Sequence, residues 1–352
     1  MITSNKISSF VAGAVICTLL LTAGCVHPTE ETAKTKVEPE ETVKTKAEPE
    51  EQKPTVQLVL KFSPQDSTTY KVTTEAQKSV KWEGSLPSKA AGLTGGHTGR
   101  RIEMTLIQRI QSVDDKGNAI AEITIKELKY LAKEKDYIIL DFDSSREKDR
   151  DSPLANLIGQ SYTIEITPAG QVSKVIDVSQ ARSAVKGISP AHKTALTLLS
   201  ADVINERHTI SALPLSDKNE LRKGEDWSST KFFNFGMMGS KSYERIYTLK
   251  EIEETDNRRI AIVEMNAVPS TERAKELHKE QATGVFSKLF DNTETYTGQL
   301  KLDLAAGKVE EYFEKLQSEW VIVLTPAGQG DDKEPIVSIM AATHLYSIEK
   351  LD

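Results

Sequence analysis

Thiols, imidazoles and paired carboxylates carry most side-chain chemistry, and this chain offers few of them in a usable spacing. Its 352 residues include two cysteines, Cys17 and Cys25, both near the N-terminus, so no disulfide framework can staple the rest. Six histidines, His27, His97, His192, His208, His278 and His344, are scattered without a His-x-His or His-Glu-x-x-His spacing, so no zinc site is read from them. Asp141 and Asp143 in "LDFDSS" present two carboxylates to a cation, but the glycine and distal glutamate of a calcium loop are missing. A solvated strand edge is the expectation there. The run "GLTGGHTGRR", 92–101, joins glycines to Arg100 and Arg101, yet it lacks the Gly-Lys-Ser/Thr ending of a phosphate loop and leads into a strand. It reads as a hairpin loop. No Gly-x-Ser-x-Gly elbow occurs, and no thiol beyond the N-terminal region is left to act as a nucleophile. No catalytic residue, metal site or cofactor is therefore expected, and the chain is not expected to be an enzyme.

The elements that must position these side chains are mostly strands. "SYTIEIT", 161–167, alternates Tyr162, Ile164 and Ile166 with polar partners, the period-two pattern of a half-buried strand. "RIEMTLIQRI" alternates through Ile102, Met104 and Leu106, turn residues follow at 114–118, and "AIAEITIKEL" runs back, which predicts a long hairpin. "GQLKLDLAAGKVEEY" alternates Leu300, Leu302 and Leu304 before a turn at Gly307. "KVEEYFEKLQSEW" fits helical spacing through Val309, Phe313, Leu316 and Trp320, but the Ala-Gly turn before it favours a returning strand. Helices are predicted over 190–207, opened by Pro190 with Leu196, Leu199 and Val203 on one side, and over 270–281. "FFNFGMMG", 232–239, reads as core, with an exposed apolar patch meeting a lipid or partner as the alternative.

The order of features repeats. The hairpin at 104–125 has a counterpart at 247–265, and each is followed by a Tyr-Thr strand closing in Ala-Gly, from Tyr162 to Gly170 and from Tyr296 to Gly307. "TPAGQ" also occurs twice, and its second copy, outside that frame, reads as a recurrent turn. The expected fold is mainly β (α+β), with curved antiparallel sheets in two similar halves, 55–208 and 209–352, and a few helices between or against them.

Composition narrows the partners. Lys and Arg number 45 against 52 Asp and Glu, for a net charge of -7, and the basic residues are interspersed with acidic ones. No nucleic acid is expected as a partner. A 38% apolar content suffices for a sizeable core.

The N-terminus carries the localisation. Phe10 to Leu21 is uncharged and apolar, and as a helix would span roughly 18 Å. A bilayer core of roughly 30 Å exceeds it. With Lys6 before it and Thr22, Ala23 and Gly24 after it, the stretch has the layout of a secretory signal. "LLLTAGC" resembles the lipobox of bacterial lipoproteins, departing from it in having Thr22 where leucine is commonest. The resemblance implies a signal peptide over 1–24, cleavage between Gly24 and Cys25, and lipid attachment on Cys25, which would hold the protein to a membrane. "ETAKTKVEPE" then recurs as "ETVKTKAEPE" over 31–50, so 25–54 reads as a disordered tether. With Val26 after the cysteine rather than aspartate, the periplasmic face of the outer membrane is the expected address in a cell with two membranes.

"LIGQSYTIEITPAGQVSKV" and "LPLSDKNELRKGEDW", together with the lipobox, resemble uncharacterised bacterial envelope lipoproteins with a domain of unknown function. That resemblance implies no activity and no catalytic residues. The function expected is a non-enzymatic binding or assembly module of the cell envelope, with an envelope protein or an amphiphile as candidate partner. The alternative is a carrier or sensor of lipids or lipoproteins using an apolar concavity of the sheet, with Ile164, Ile166, Leu300 and Leu302 as its apolar ligand contacts.

Overall fold

A computed structural model describes residues 55–84, 95–215, 220–236, 239–255, 258–270, 291–324 and 336–351. The signal, Cys25, the tether and the helix expected over 270–281 lie outside the described residues, apart from Ser270. Strands β1 (Val56–Gln57), β2 (Ser67–Glu83), β3 (Gly96–Val113), β4 (Ala119–Glu134), β5 (Tyr137–Asp143), β6 (Ser161–Ile166) and β7 (Val172–Asp177) come first. Helices α1 (Ser179–Ala184), α2 (Pro190–Leu198) and α3 (Ala201–His208) follow. Then come β8 (Glu220–Leu221), β9 (Asp226–Asn234), β10 (Ser240–Thr255), β11 (Arg258–Pro269), β12 (Asp291–Asp303), β13 (Lys308–Leu324) and β14 (Ile336–Lys350). The fold is mainly β, as the alternation predicts.

Twelve strands form one antiparallel sheet that does not close into a barrel, in the order β7, β6, β4, β3, β2, β14, β13, β12, β11, β10, β9, with β5 on a second stretch of β4. β2, β3, β4, β6 and β7 follow one another outward from one side of β14, while β9, β10, β11, β12 and β13 come inward from the far edge to its other side. The two runs therefore repeat the same strand order along one continuous sheet. The Tyr-Thr pairs are not equivalent within it. Taking the Thr-Leu pairs of β3 and β10 as reference, Leu106 faces Ile125 and Leu249 faces Val263. Tyr162 faces Ile123, on the turn side of that reference, whereas Thr297 faces Asn266 on the opposite side. Hairpins share composition at several registers, and only cross-strand pairing fixes which one is used.

Local chemistry explains the ends of these elements. In the turn between β3 and β4, Asp114 Oδ1 accepts the backbone N–H groups of Lys116 and Asn118, both at 2.8 Å. Where Ile125 faces Leu106 and Glu127 faces Thr105, a bulge at Lys126 shifts the buried phase of β4 from Ala121, Ile123 and Ile125 to Leu128 and Tyr130. The helix expected over 190–207 is two. Ser189 caps α2 through the His192 N–H at 3.2 Å, and Ser200 caps α3 through Val203, so the chain breaks at Leu199 and Ser200. The break buries Ala195, Leu198, Leu199 and Ile204 and leaves Leu196 and Val203 half-buried.

The segment 308–324 is a strand, which resolves its ambiguous pattern. Tyr312, Glu314, Leu316, Ser318 and Trp320 then all point to the buried side. One of these is a carboxylate.

Candidate functional site

On the covered face of the sheet, neighbouring strands bring polar side chains to one point. Each sits in the apolar phase of its strand: Lys231 between Trp227 and Phe233 on β9, Arg245 between Tyr243 and Tyr247 on β10, and Glu314 between Tyr312 and Leu316 on β13. The Glu314 side chain is only 3% exposed. Its Oε1 accepts from Arg245 Nη1 at 2.7 Å, from the Tyr247 hydroxyl at 3.3 Å and from the Tyr312 hydroxyl. Its Oε2 accepts from the Tyr296 hydroxyl at 2.6 Å and from Lys231 Nζ at 3.2 Å.

Five donors saturate that carboxylate. Burial pushes its pKa up, but Lys231, Arg245 and the tyrosine hydroxyls outweigh burial and hold it well below the usual carboxylate range. The same burial, reinforced by the Glu314 charge, raises the Tyr296, Tyr312 and Tyr247 hydroxyls above the ordinary tyrosine value. Glu314 stays ionised and the tyrosines stay protonated, so near neutral pH the cluster has no proton to move. It pins β9, β10, β12 and β13 around a fixed charge, and Trp227 stacks on Tyr247 with ring centroids 5.8 Å apart.

A second polar group docks α3. Arg207, 5% exposed, donates to the Leu198 carbonyl at 2.9 Å and to the Tyr162 hydroxyl at 3.2 Å. Tyr162 accepts there, and its hydroxyl shares a second hydrogen bond of 2.7 Å with His208 Nε2, whose direction is set by the His208 tautomer. Burial, then the Arg207 charge, pushes the His208 pKa down to about 3. The Tyr346 hydroxyl on β14 donates to the Arg207 carbonyl at 2.8 Å. Among the described residues Arg207 has no carboxylate in ion-pair reach.

Between α2, α3 and the sheet lies a cavity of about 590 Å³. Lys193, Leu198 and Arg207 roof it, Val72, Ala76 and Met104 belong to its floor, and Lys231 and Phe233 come from β9. A second cavity, of about 520 Å³, lies between α3, β7 and β10, and Glu206, Lys231, Glu314 and Tyr346 line both. His344 lies against Phe233, with ring centroids 5.0 Å apart, and its Nε2 is buried without a hydrogen-bond partner among the described residues. Burial and then Lys231, Lys78 and Arg100 bring its pKa down to about 4.

The apolar contacts expected from the sequence lie elsewhere. Ile164, Leu300 and Leu302 are wholly buried in the packed core and line neither large cavity. Ile166 borders a separate void of about 50 Å³. Asp141 is held by Arg146 at 2.8 and 3.1 Å, and Asp143 accepts the Ser145 hydroxyl at 2.7 Å. Among the described residues no group of three or more His, Cys, Asp or Glu is arranged to hold a metal ion. Phe233 and Phe235 of "FFNFGMMG" are buried and Phe232 is exposed, while Met237 and Met238 lie outside the described residues.

Residues 116–309 match a family described as "Family of unknown function (DUF6263)", and the chain belongs to that family. No curated protein sequence matches it. Among solved structures, one titled "Lipid-protein interactions in lipovitellin" aligns over 83% of this chain and 26% of its own length, at 11% identity and a TM-score of 0.36. The chain thus spans about a quarter of that protein, and at this score neither fold nor function transfers.

Proposed function

We propose, with membership of this family of unknown function as the premise, that the protein is a non-enzymatic ligand-binding module of the cell envelope whose ligand occupies the cavity under α2 and α3. The observation that carries the reading is the cavity itself. Its volume of about 590 Å³ falls within the roughly 300–1,000 Å³ of small-molecule sites. Its walls set apolar side chains beside nearly as many polar and charged ones. The carboxylate at its base is saturated and held ionised, so Glu314 is not poised for general acid–base work. The lipobox-like "LLLTAGC" supports lipid attachment at Cys25, and the repeats over 31–50 support a tether that lets the body stand off a membrane.

Filling the cavity tests this reading. Ala76 is a small, half-buried residue of its floor, and Ala76→Phe should occupy the space with little disturbance elsewhere. Native mass spectrometry of the detergent-extracted full chain should show a co-purified small molecule that the variant lacks at an unchanged melting temperature. An adduct retained equally by the variant, or absent from both, would overturn the assignment.

A further inference from the structure

Resting on that reading, we infer that the ligand of the α2–α3 cavity is an anionic amphiphile, with its acidic head between Arg207 and Lys231 and its apolar part along Val72, Ile102, Met104 and Leu198. The charges are the first argument. In a chain of net charge -7, this cavity gathers Arg100, Lys193, Arg207 and Lys231. Against them stand Glu75, Glu206 and Glu314, of which Glu75 is taken by Arg101 at 3.2 Å and Glu314 is shared by Lys231 and Arg245. That leaves Arg100, Lys193 and Arg207 facing one free carboxylate. Among the described residues none of these three forms an ion pair.

Burial is the second argument. Arg207 is 5% exposed, and a buried guanidinium hydrogen-bonded to a carbonyl and a phenol but matched by no counter-charge among the described residues is costly unless an anion completes it. Arg207 also borders the space an anion would enter. His344, whose Nε2 has no partner among the described residues, lines the same cavity as Lys231 and adds a polar atom to it. The third argument is the wall. Val72, Ile102 and Met104 come from adjacent strands and Leu198 from α2, and together they make an apolar surface that a free inorganic anion would leave unused.

The test uses the full chain in phosphatidylcholine nanodiscs, titrated by calorimetry with octyl phosphate, inorganic phosphate and octyltrimethylammonium, empty nanodiscs being subtracted. Octyl phosphate should bind saturably, inorganic phosphate at least about tenfold more weakly, and octyltrimethylammonium not at all, since opposite charges in a partly dry site differ by kcal/mol rather than tenths. Arg207 also docks α3, so its replacement would confuse binding with folding. The charge reversals Arg100→Glu and Lys193→Glu are safer, because both side chains are exposed and unpaired among the described residues. Together they should weaken octyl phosphate binding by about tenfold or more. Equal binding of the octyl cation, or full affinity in the double variant, would overturn the anionic assignment while leaving the cavity a binding site. Inorganic phosphate binding as tightly as octyl phosphate would overturn the amphiphile. If no probe binds and Ala76→Phe leaves the co-purified material unchanged, the binding-module reading falls as well.

Discussion

Replacing Glu314 by glutamine keeps its shape and removes its charge, and should be among the most destabilising isosteric changes available in this sheet. Arg245, 6% exposed at the side chain, loses its counter-ion, and its Nε already has no partner among the described residues. Lys231, 27% exposed, can still turn towards cavity water. The expected loss is therefore set by Arg245 and falls at about 3–5 kcal/mol, as for other buried pairs broken on one side. That is a large share of the roughly 5–15 kcal/mol that separates a domain from its unfolded state. Urea unfolding followed by tryptophan fluorescence is the assay, because Trp227 stacks on Tyr247, which donates to Glu314. Tyr312→Phe removes one donor only and should cost about 1.5–3 kcal/mol. Glu314→Gln combined with Arg245→Met removes both charges and should recover part of the single-variant loss, a coupling that a double-mutant cycle reads directly. The pH dependence follows with a definite sign. The Glu314 carboxyl titrates below its unfolded value of 4.5 when folded, so as pH falls the unfolded chain takes up the proton first. Its contribution is whole above about pH 4.5 and is lost as pH drops towards the folded value. Glu314→Gln should flatten that acid limb. A cost below about 1 kcal/mol, or an unchanged acid limb, would refute the idea that this carboxylate holds the four strands together.

Three further outcomes are expected. The His208 pKa falls from 6.5 to about 3 on folding, so its share of stability is whole above pH 6.5 and is lost towards pH 3, at up to about 1.4 kcal/mol per pH unit; in thermal melts across that range His208→Gln should reduce the slope, leaving the part supplied by His344 and Glu314. At Gly307, with φ +60°, an added Cβ would lie 2.4 Å from the Lys61 backbone nitrogen, whereas at Gly224, with φ +90°, it would meet nothing within 4 Å; Gly307→Ala should therefore lower the melting temperature well beyond Gly224→Ala, which bears only the left-handed strain of roughly 1–2 kcal/mol. Metabolic labelling with fatty acid should mark the wild-type chain and miss Cys25→Ser, and equal labelling of the two would remove the lipid anchor.

How much of this was legible in the sequence differs between elements. Strands with clean alternation, such as 161–166, read directly, because one buried face imposes period two on side-chain polarity. The segment 308–324 was harder. Val309, Phe313, Leu316 and Trp320 satisfy a helical period by coincidence, while in the strand phase that the sheet uses, Glu314 and Ser318 interrupt the apolar row. The split of 190–207 at Ser200 was written in the chain, since serine at that position can cap a new helix as readily as it can sit inside one. Register was not legible. Which residue of β11 faces Thr297 depends on a partner strand some thirty residues away in sequence, and no local pattern records it.

The site was half visible for the same reason. Polar residues in the apolar phase of three strands, Lys231, Arg245 and Glu314, were each readable as an anomaly, and three such anomalies with charges of both signs are a signal that the strands meet. Following the most hydrophobic positions instead led to Ile164, Leu300 and Leu302, which packing fills completely. The general reason is physical. The residues best suited to a core are those least able to leave room beside them, so a cavity in a β scaffold forms where floor residues are small, as Ala76 is, and where buried charge keeps side chains from collapsing inward. In this sheet the Glu314 cluster does that at the base of the cavity while Arg207 fixes α3 above it. The same arrangement that holds the roof off the floor therefore also supplies the charge that would choose the ligand.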